Sequence, residues 1–448
     1  MGRGGEAPRG RAPRGDAGEP AANAVKSYGF FELLQRFEAY RRYWLAMAVS
    51  WAGDRLNAVA LATLVLDRFP QQPMAIGLVL MAQHLPQAVL GLLAGALADR
   101  WPRRTVMVVS DLVRAVAVLL VPWATELWQV YLAALVVGTA STFFFPAWRS
   151  TLPAVVSRDA LLEANAYHSA TRSFIDILAP VGATALIAAG RALHPVLYMA
   201  PAFWLDALSY LVSAWQLAHL PLDEAALGGL RPATRGLAGV GRDVLAGLRY
   251  HRQNRTVWAL LLLMGSFAWG ANGANALLQK AVPMLLGVPP ERWGVLLAAM
   301  GVGMIAGNAV VARRGKVWPR HVVIGVGYLG AWLALVILAG TRDFTVALAT
   351  YVLMGVSNAA FLAPQVAWVQ EATDPAYLGR VEATRNAVIY VGMTVSPLLA
   401  GWLEQALGSL PGAMGAISVL FLVPAVLSFT HPALRRPASA AARATTGA

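Results

Sequence analysis

A helix that crosses a bilayer needs roughly 20 consecutive, mostly apolar residues. Runs of that kind recur down this chain, near residues 43–66, 73–98, 105–125, 128–149, 162–190, 196–219, 256–284, 291–312, 321–340, 344–369, 379–405 and 411–430. In hydrocarbon every backbone N–H and C=O must be paired inside the protein, and a helix achieves this within one segment. The runs therefore predict an all-α membrane protein with twelve spans. Composition agrees: 58% of the residues are hydrophobic and 13% charged, against about 25% charged in a soluble domain.

Lysine and arginine set the orientation. One set of loops carries Arg100, Arg103 and Arg104; Arg158; Arg231, Arg235, Arg242, Arg249, Arg252 and Arg255; and Arg313, Arg314, Lys316 and Arg320. The opposite loops hold little beyond Arg68, Arg191, Arg292 and Arg342. The positive-inside rule places both termini and the longest polar stretch in the cytoplasm, with the chain in the inner or plasma membrane. The expected order is a tail (1–42), a six-helix bundle (43–219), a linker (220–255), a second six-helix bundle (256–430) and a tail (431–448). Residues 1–28 lack the apolar core of a signal peptide and read as a cytoplasmic tail. In the linker Val240, Val244, Leu245 and Leu248 recur at helical spacing beside Arg242, Arg249 and Arg252. That pattern fits a basic amphipathic helix on an anionic inner leaflet, or a solvated loop helix.

Several function classes are excluded. The chain has no cysteine, and its seven histidines contain no H-E-x-x-H pair, so neither a metal nor another cofactor is expected. A formal charge of +13 reflects basic loops rather than nucleic-acid binding, since no folded basic domain is present. No phosphate-cradling G-x-x-x-x-G-K-[ST] sequence occurs. A polytopic membrane enzyme would need a catalytic cluster at one membrane face, and the spacing offers none. A sensor would need an appended soluble domain, and none is expected.

The two halves resemble each other. FFFPAWRSTLPAVVSRDALLEANAYHSATRSFIDILAPVG starts at Phe143, and AFLAPQVAWVQEATDPAYLGRVEATRNAVIYVGMTVSPLLAG starts at Ala360. Each runs from an early proline to a late one, Pro146 to Pro180 and Pro364 to Pro397. Repeats at equivalent spans of two six-helix halves mark transporters. The turn after the second span carries Gly95, Asp99, Arg100, Pro102, Arg103 and Arg104. It resembles the G-x-x-x-D-[RK]-x-G-[RK]-[RK] loop of the major facilitator superfamily, with Pro102 in place of the usual glycine.

Within that superfamily the chain looks most like the branch holding macrolide-efflux and enterobactin-export permeases. The resemblance rests on Ser50-x-x-Gly53-Asp54, Asp111-Leu-Val-Arg114, Phe145-Pro146-Ala147 with Glu163-Ala164-Asn165-Ala166, and Asp206-Ala-Leu-Ser209. The branch also includes lysophospholipid carriers. Ala179-Pro180-Val181-Gly182 matches part of the exporters' fifth-span motif, with Asp176 where a small residue is common. The resemblance implies the major facilitator fold. It also implies that Asp99 faces the start of the eleventh span, where helix amides favour an anion, with Arg149 as a second partner. Gly95, Asp99, Arg100, Arg103, Arg104 and Arg149 thus form an expected latch. Its arginines would be held inside by the positive-inside bias and anionic lipid. An echo from Gly307 has Val311 where the acid would fall, so the second half does not duplicate the latch.

A charge at the bilayer centre costs about 2.5–3.5 kcal/mol on the translocon scale, so each one needs a reason. Asp54 sits roughly 17 Å into the first span. It shares a face with Ser50 and Asn57, as a substrate or proton site or as a structural pair with Arg55. His168, Arg172 and Asp176 follow at i, i+4 and i+8 on the fifth span. Arg172 and Asp176 would neutralise each other, or the three would form a titratable switch. Glu382 and Arg385, beside Asn386, read as an inner gate. Gln83 and His84 on the second span, Asn272, Asn275 and Gln279 on the seventh, and Asn358 and Gln365 on the tenth are candidate cargo contacts or helix–helix hydrogen bonds. Asp111 reads as a structural pair with Arg114 near the inner surface, and Asp206 finds no role.

The expected function is secondary transport by a monomer in an anionic bilayer. It is proton-driven export of a bulky, partly apolar small molecule, such as an antibiotic or siderophore-like metabolite, by alternating access. The rivals are an inward carrier or lysophospholipid flippase on the same scaffold and, more remotely, a membrane enzyme.

Overall fold

A computed structural model describes residues 28–72, 74–98, 101–194, 197–222, 248–314, 317–374 and 377–435. Residues 1–27 and 436–448 of the expected tails, the part of the expected amphipathic helix before Leu248, and Asp99 and Arg100 lie outside the described residues, while 28–42 of the expected first tail are described and largely helical. Among the described residues a short helix, Phe30–Arg36, precedes twelve long ones. These are α1 Glu38–Arg68, α2 Ala75–Ala98, α3 Arg103–Leu120, α4 Leu127–Val155, α5 Leu161–Leu193 and α6 Ala200–Ala218. The second half supplies α7 Arg255–Met284, α8 Trp293–Arg314, α9 Arg320–Gly340, α10 Phe344–Ala372, α11 Leu378–Leu407 and α12 Leu410–Thr430.

Among the described residues nine helices are long and apolar enough to cross a membrane on their own composition. Helices α1, α2 and α6 are not among them. In α1 and α6 the reason is visible: Asp54, Arg55 and Asn57 in the first, and Asp206, Ser209 and Ser213 in the second. Helix α1 also starts five residues before the expected span. Its first turns carry a Glu38–Arg42 ion pair of 3.0 Å and bury Tyr40 and Tyr43.

The packing is duplicated. In the first half α1 packs on α5 and α6, α3 on α4 and α6, and α2 on α4. In the second half α7 packs on α11 and α12, α9 on α10 and α12, and α8 on α10. Small residues permit the closest crossings. A Cβ on Gly138 of α4 would lie 2.2 Å from the Gln83 carbonyl of α2, and a Cβ on Gly303 of α8 would lie 2.1 Å from the Val352 carbonyl of α10.

The two bundles meet along α2 with α11 and α5 with α8. Gly77 of α2 abuts the Pro397 carbonyl, and Gly294 of α8 abuts the Pro180 carbonyl. The late proline of each sequence repeat therefore marks the equivalent contact with the opposite bundle. Both contacts lie away from the end that carries residues 28 and 435, which also carries most of the described arginines. That end is the basic end, and the opposite one, with the two proline contacts, is the far end.

Candidate functional site

Between the bundles lies a cavity of about 440 Å³ that runs from mid-helix at Asp54 and Arg172 toward the far end at Ile76 and Trp293. Its charged wall comes from α1 and α5. Arg55 Nε reaches Asp176 Oδ1 at 2.6 Å, and Arg172 Nε stands 3.8 Å from Asp176 Oδ2. Arg172 also lies over the ring of Trp51, 5.1 Å from its centre. Sequence spacing paired Arg172 with Asp176 and offered Arg55 to Asp54. The short contact instead runs from Arg55 to Asp176 across two helices. Asp54 lines the cavity and accepts a hydrogen bond from the Tyr210 hydroxyl of α6.

The amide wall is contributed by Asn57, Gln83, His84, Asn272, Asn275 and Gln279. One of these placements has a clear backbone cause. Pro397 has no N–H, so the Met393 carbonyl one turn earlier is free of its helical partner. Asn272 Nδ2 donates to that carbonyl at 3.0 Å. The Ser396 hydroxyl, next to the proline, accepts from Gly273 N at 2.8 Å and donates to the Trp269 carbonyl. It thereby ties α11 into the backbone ladder of α7 beneath the amide pair. Phe145 and Trp293 add aromatic surface.

Four sequence candidates stand elsewhere. His168 is buried in an aromatic cage, 5.3 Å from Tyr43, 5.6 Å from Tyr40 and 5.8 Å from Trp148 by ring centres, with Nδ1 at 2.6 Å from Met47 Sδ. Positions eight apart on a helix differ by roughly 80° in direction, so the expected stripe splits and His168 turns from the cavity. Gln365 is 1% exposed and exchanges hydrogen bonds of 2.9 and 3.1 Å with Tyr328, which makes it a packing residue. Ser50 is buried, and Asn358 has its Oδ1 buried without a hydrogen-bond partner; neither lines the cavity. The expected gate pair is formed within one helix: Glu382 Oε2 and Arg385 Nη2 lie 2.5 Å apart.

Around the expected latch, Gly95 falls in the last turn of α2. Arg103 donates to the Ser150 carbonyl of α4 at 2.9 Å, and Arg104 donates to the carbonyls of Leu220 and Leu222 at 2.7 and 3.1 Å. These two arginines therefore brace their own bundle, beyond any role toward lipid. Arg149 is exposed.

The expected Asp111–Arg114 pair forms, but halfway along α3 and behind Asp54 rather than near the inner surface; the wider constellation around it, and a second one, escaped sequence reasoning. Behind Asp54 a buried polar cluster joins three helices. Asp111 and Arg114 of α3 form an ion pair, and Arg114 lies 4.2 Å over Phe144 and 4.5 Å over Tyr210. Asp206 of α6 stands beside Asp54, Asn57 and Arg114. A glycine makes room for this: a Cβ on Gly53 would lie 2.4 Å from Asp206 Oδ1 and 2.1 Å from Ser209 Oγ. The second constellation closes the far end. Arg191 of α5 reaches Asp67 of α1 at 2.5 Å and Glu291, before α8, at 2.9 and 3.0 Å. Tyr198 donates to Asp67, and Thr184 donates to the Glu291 carbonyl at 2.5 Å. The only sequence signal was that each charge sits at the end of a span.

Two similarly wired six-helix bundles with a polar cavity between them have the architecture of a membrane transporter. The family follows from comparison: residues 34–445 match the model of the transmembrane secretion effectors, and the chain belongs to that major facilitator family. Its relatives include an uncharacterized transporter of the superfamily, YfiS of Bacillus subtilis (strain 168), 27% identical over 82% of this chain and 87% of that protein. Macrolide efflux protein A of Streptococcus pyogenes is 23% identical over 83% and 92%. Among solved structures, a bacterial homologue of the human lysosomal transporter Spinster, inward-facing and unoccupied, aligns with a TM-score of 0.70. It is 17% identical and is covered over 91% of this chain and 98% of that one, a likeness of fold.

Proposed function

We propose that this transporter exports a bulky, partly apolar small molecule, driven by protons moving the other way. The observation that carries the reading is the wall Asp54–Arg55–Asp176–Arg172 facing aromatic and amide surface, in which Asp176 is held by two arginines and Asp54 by the Tyr210 hydroxyl. Charges in the membrane interior are retained for ion or substrate pathways. The efflux activity of the macrolide relative supports the direction and the size of cargo. With the basic end assigned to the cytoplasm by the positive-inside rule, the Arg191–Glu291 closure seals the exterior side, and the cavity is the cytoplasmic loading site. The turn Gly95–Arg104 then serves as the latch that forms when the far end opens.

Asp54 is the carboxylate at which cargo and proton compete. The test uses sided proteoliposomes with an imposed pH gradient and two probes, a radiolabelled macrolide and the dye ethidium. Uphill accumulation should follow the gradient, and Asp54→Asn should abolish it while leaving the protein folded. Uphill transport that persists after the gradient is collapsed, or in Asp54→Asn, would overturn the coupling. Movement in the opposite direction would favour the inward carrier.

A further inference from the structure

The buried cluster behind Asp54 has more acid than base. Asp54, Asp111 and Asp206 surround one guanidinium, Arg114. Asp111 and Asp206 are 0% exposed and Arg114 is 1% exposed. Arg114 is committed to Asp111 by their ion pair and is sandwiched between Phe144 and Tyr210. The nearby cations Arg55 and Arg172 are turned to Asp176. Asp54 has the Tyr210 hydroxyl and touches the cavity. Asp206 is left with the weakest set of partners. Ser209 of its own helix offers a hydroxyl 3.3 Å from Oδ1, and Oδ2 is buried with no hydrogen-bond partner. Two carboxyl groups thus stand side by side in the cluster, and the inner one has an oxygen that no donor meets.

We propose that Asp206 holds a proton in this state of the transporter, as the buried end of a proton path whose cavity end is Asp54, and that Arg114 reports its loss. This deepens the coupling reading above and rests on it. When the Asp206 carboxyl gives up its proton toward Asp54 and the cavity, its new negative charge competes with Asp111 for Arg114. Tyr210 is stacked on Arg114 and donates to Asp54, so a shift of the guanidinium moves the hydrogen bond at the cavity wall. The groups that face Asp206 are thus Asp54 and Asn57 from α1, Arg114 with its partner Asp111 from α3, and Ser209 and Tyr210 from α6 itself. Helix α5 acts at one remove, through Arg172 on Asp54.

Infrared spectroscopy of the full chain in lipid nanodiscs reads a protonated carboxyl directly, through a C=O stretch that ionised carboxylates lack. At neutral pH the wild type should show this band, Asp54→Asn should keep it, and Asp206→Asn should lose it. Asp206→Glu keeps a carboxyl and should move the band, which assigns it even if Asp206→Asn does not fold. A wild type without the band, or a band indifferent to Asp206→Glu and removed by Asp54→Asn, would overturn the proposal. A band that obeys Asp206, together with uphill transport indifferent to the pH gradient, supports the site and overturns only the coupling.

Discussion

The two bundles share a helix-packing scheme and differ in how they treat charge. In the second bundle charges close on each other. Lys280 of α7 pairs with Glu404 of α11, and Arg320 with Glu371; Glu382 pairs with Arg385, with Glu382 Oε1 and Arg385 Nε and Nη1 left buried without a hydrogen-bond partner. Of its buried amides, Gln365 is matched to Tyr328. The first bundle also holds a closed pair, Asp111–Arg114, but beside it Asp54 has a hydroxyl partner and Asp206 has no ion-pair partner, and Asp176 is shared by two arginines. The comparison separates two uses of buried polarity. Paired charge holds helices in place and leaves little to titrate. Charge left short of a partner stays responsive to a proton or a cation.

The widest contrast comes from Lys280→Met. It strips the partner from Glu404, and the two side chains are only 8% and 10% exposed. Breaking a buried pair from one side costs about 3–5 kcal/mol, whereas replacing both partners by apolar residues is close to neutral. Thermal unfolding in detergent should therefore show a large loss for Lys280→Met and recovery in Lys280→Met/Glu404→Leu. Asp206→Asn in the other bundle should show no comparable loss. A smaller effect is expected where the bundles touch. Arg191→Gln removes a partly exposed cation, so the far-end closure should weaken by about 1–2 kcal/mol, discounted for solvent screening. That amounts to a shift of roughly tenfold in population toward the far-end-open state. Distances between spin labels across the far end would measure it. The smallest effect belongs to Gln365→Met. It should cost about 1 kcal/mol through its lost hydrogen bonds and leave transport unchanged. A transport defect there would return Gln365 to the cargo path and blur the contrast between the bundles.

The fold was legible because its cause is one-dimensional. Apolar runs of membrane length, basic loops on one side and prolines repeated at matching places are all properties of the chain order. Much of the cavity wall was legible too, since Asp54 with Asn57, and Asn272 with Asn275 and Gln279, share helix faces by spacing alone. Pairing between helices was not legible. Arg55 reaches Asp176 instead of Asp54, and Asp206 meets Asp54 because Gly53 lets α6 approach. Both facts depend on how α1 is rotated against its neighbours, which spacing within one helix does not encode. His168 fell out of its stripe for a different reason, since eight residues turn a helix by roughly 80°, a drift that spacing along α5 does encode. Gln365 looked like a cargo contact because a polar residue in an apolar run signals only that a partner exists, and its partner was Tyr328 on α9.

Arg191 is held by both halves at once, by Asp67 and Tyr198 on its own side and by Glu291 on the other. When the bundles part, the guanidinium keeps a carboxylate and the face of an aromatic ring. The cation is never bare, and the only group that must find new company is Glu291, at a mouth that is filling with water. The closure therefore behaves as a clasp whose hook stays mounted on one jaw. Its opening is limited by how readily one carboxylate is hydrated, and on the return stroke the hook is already aimed at its catch.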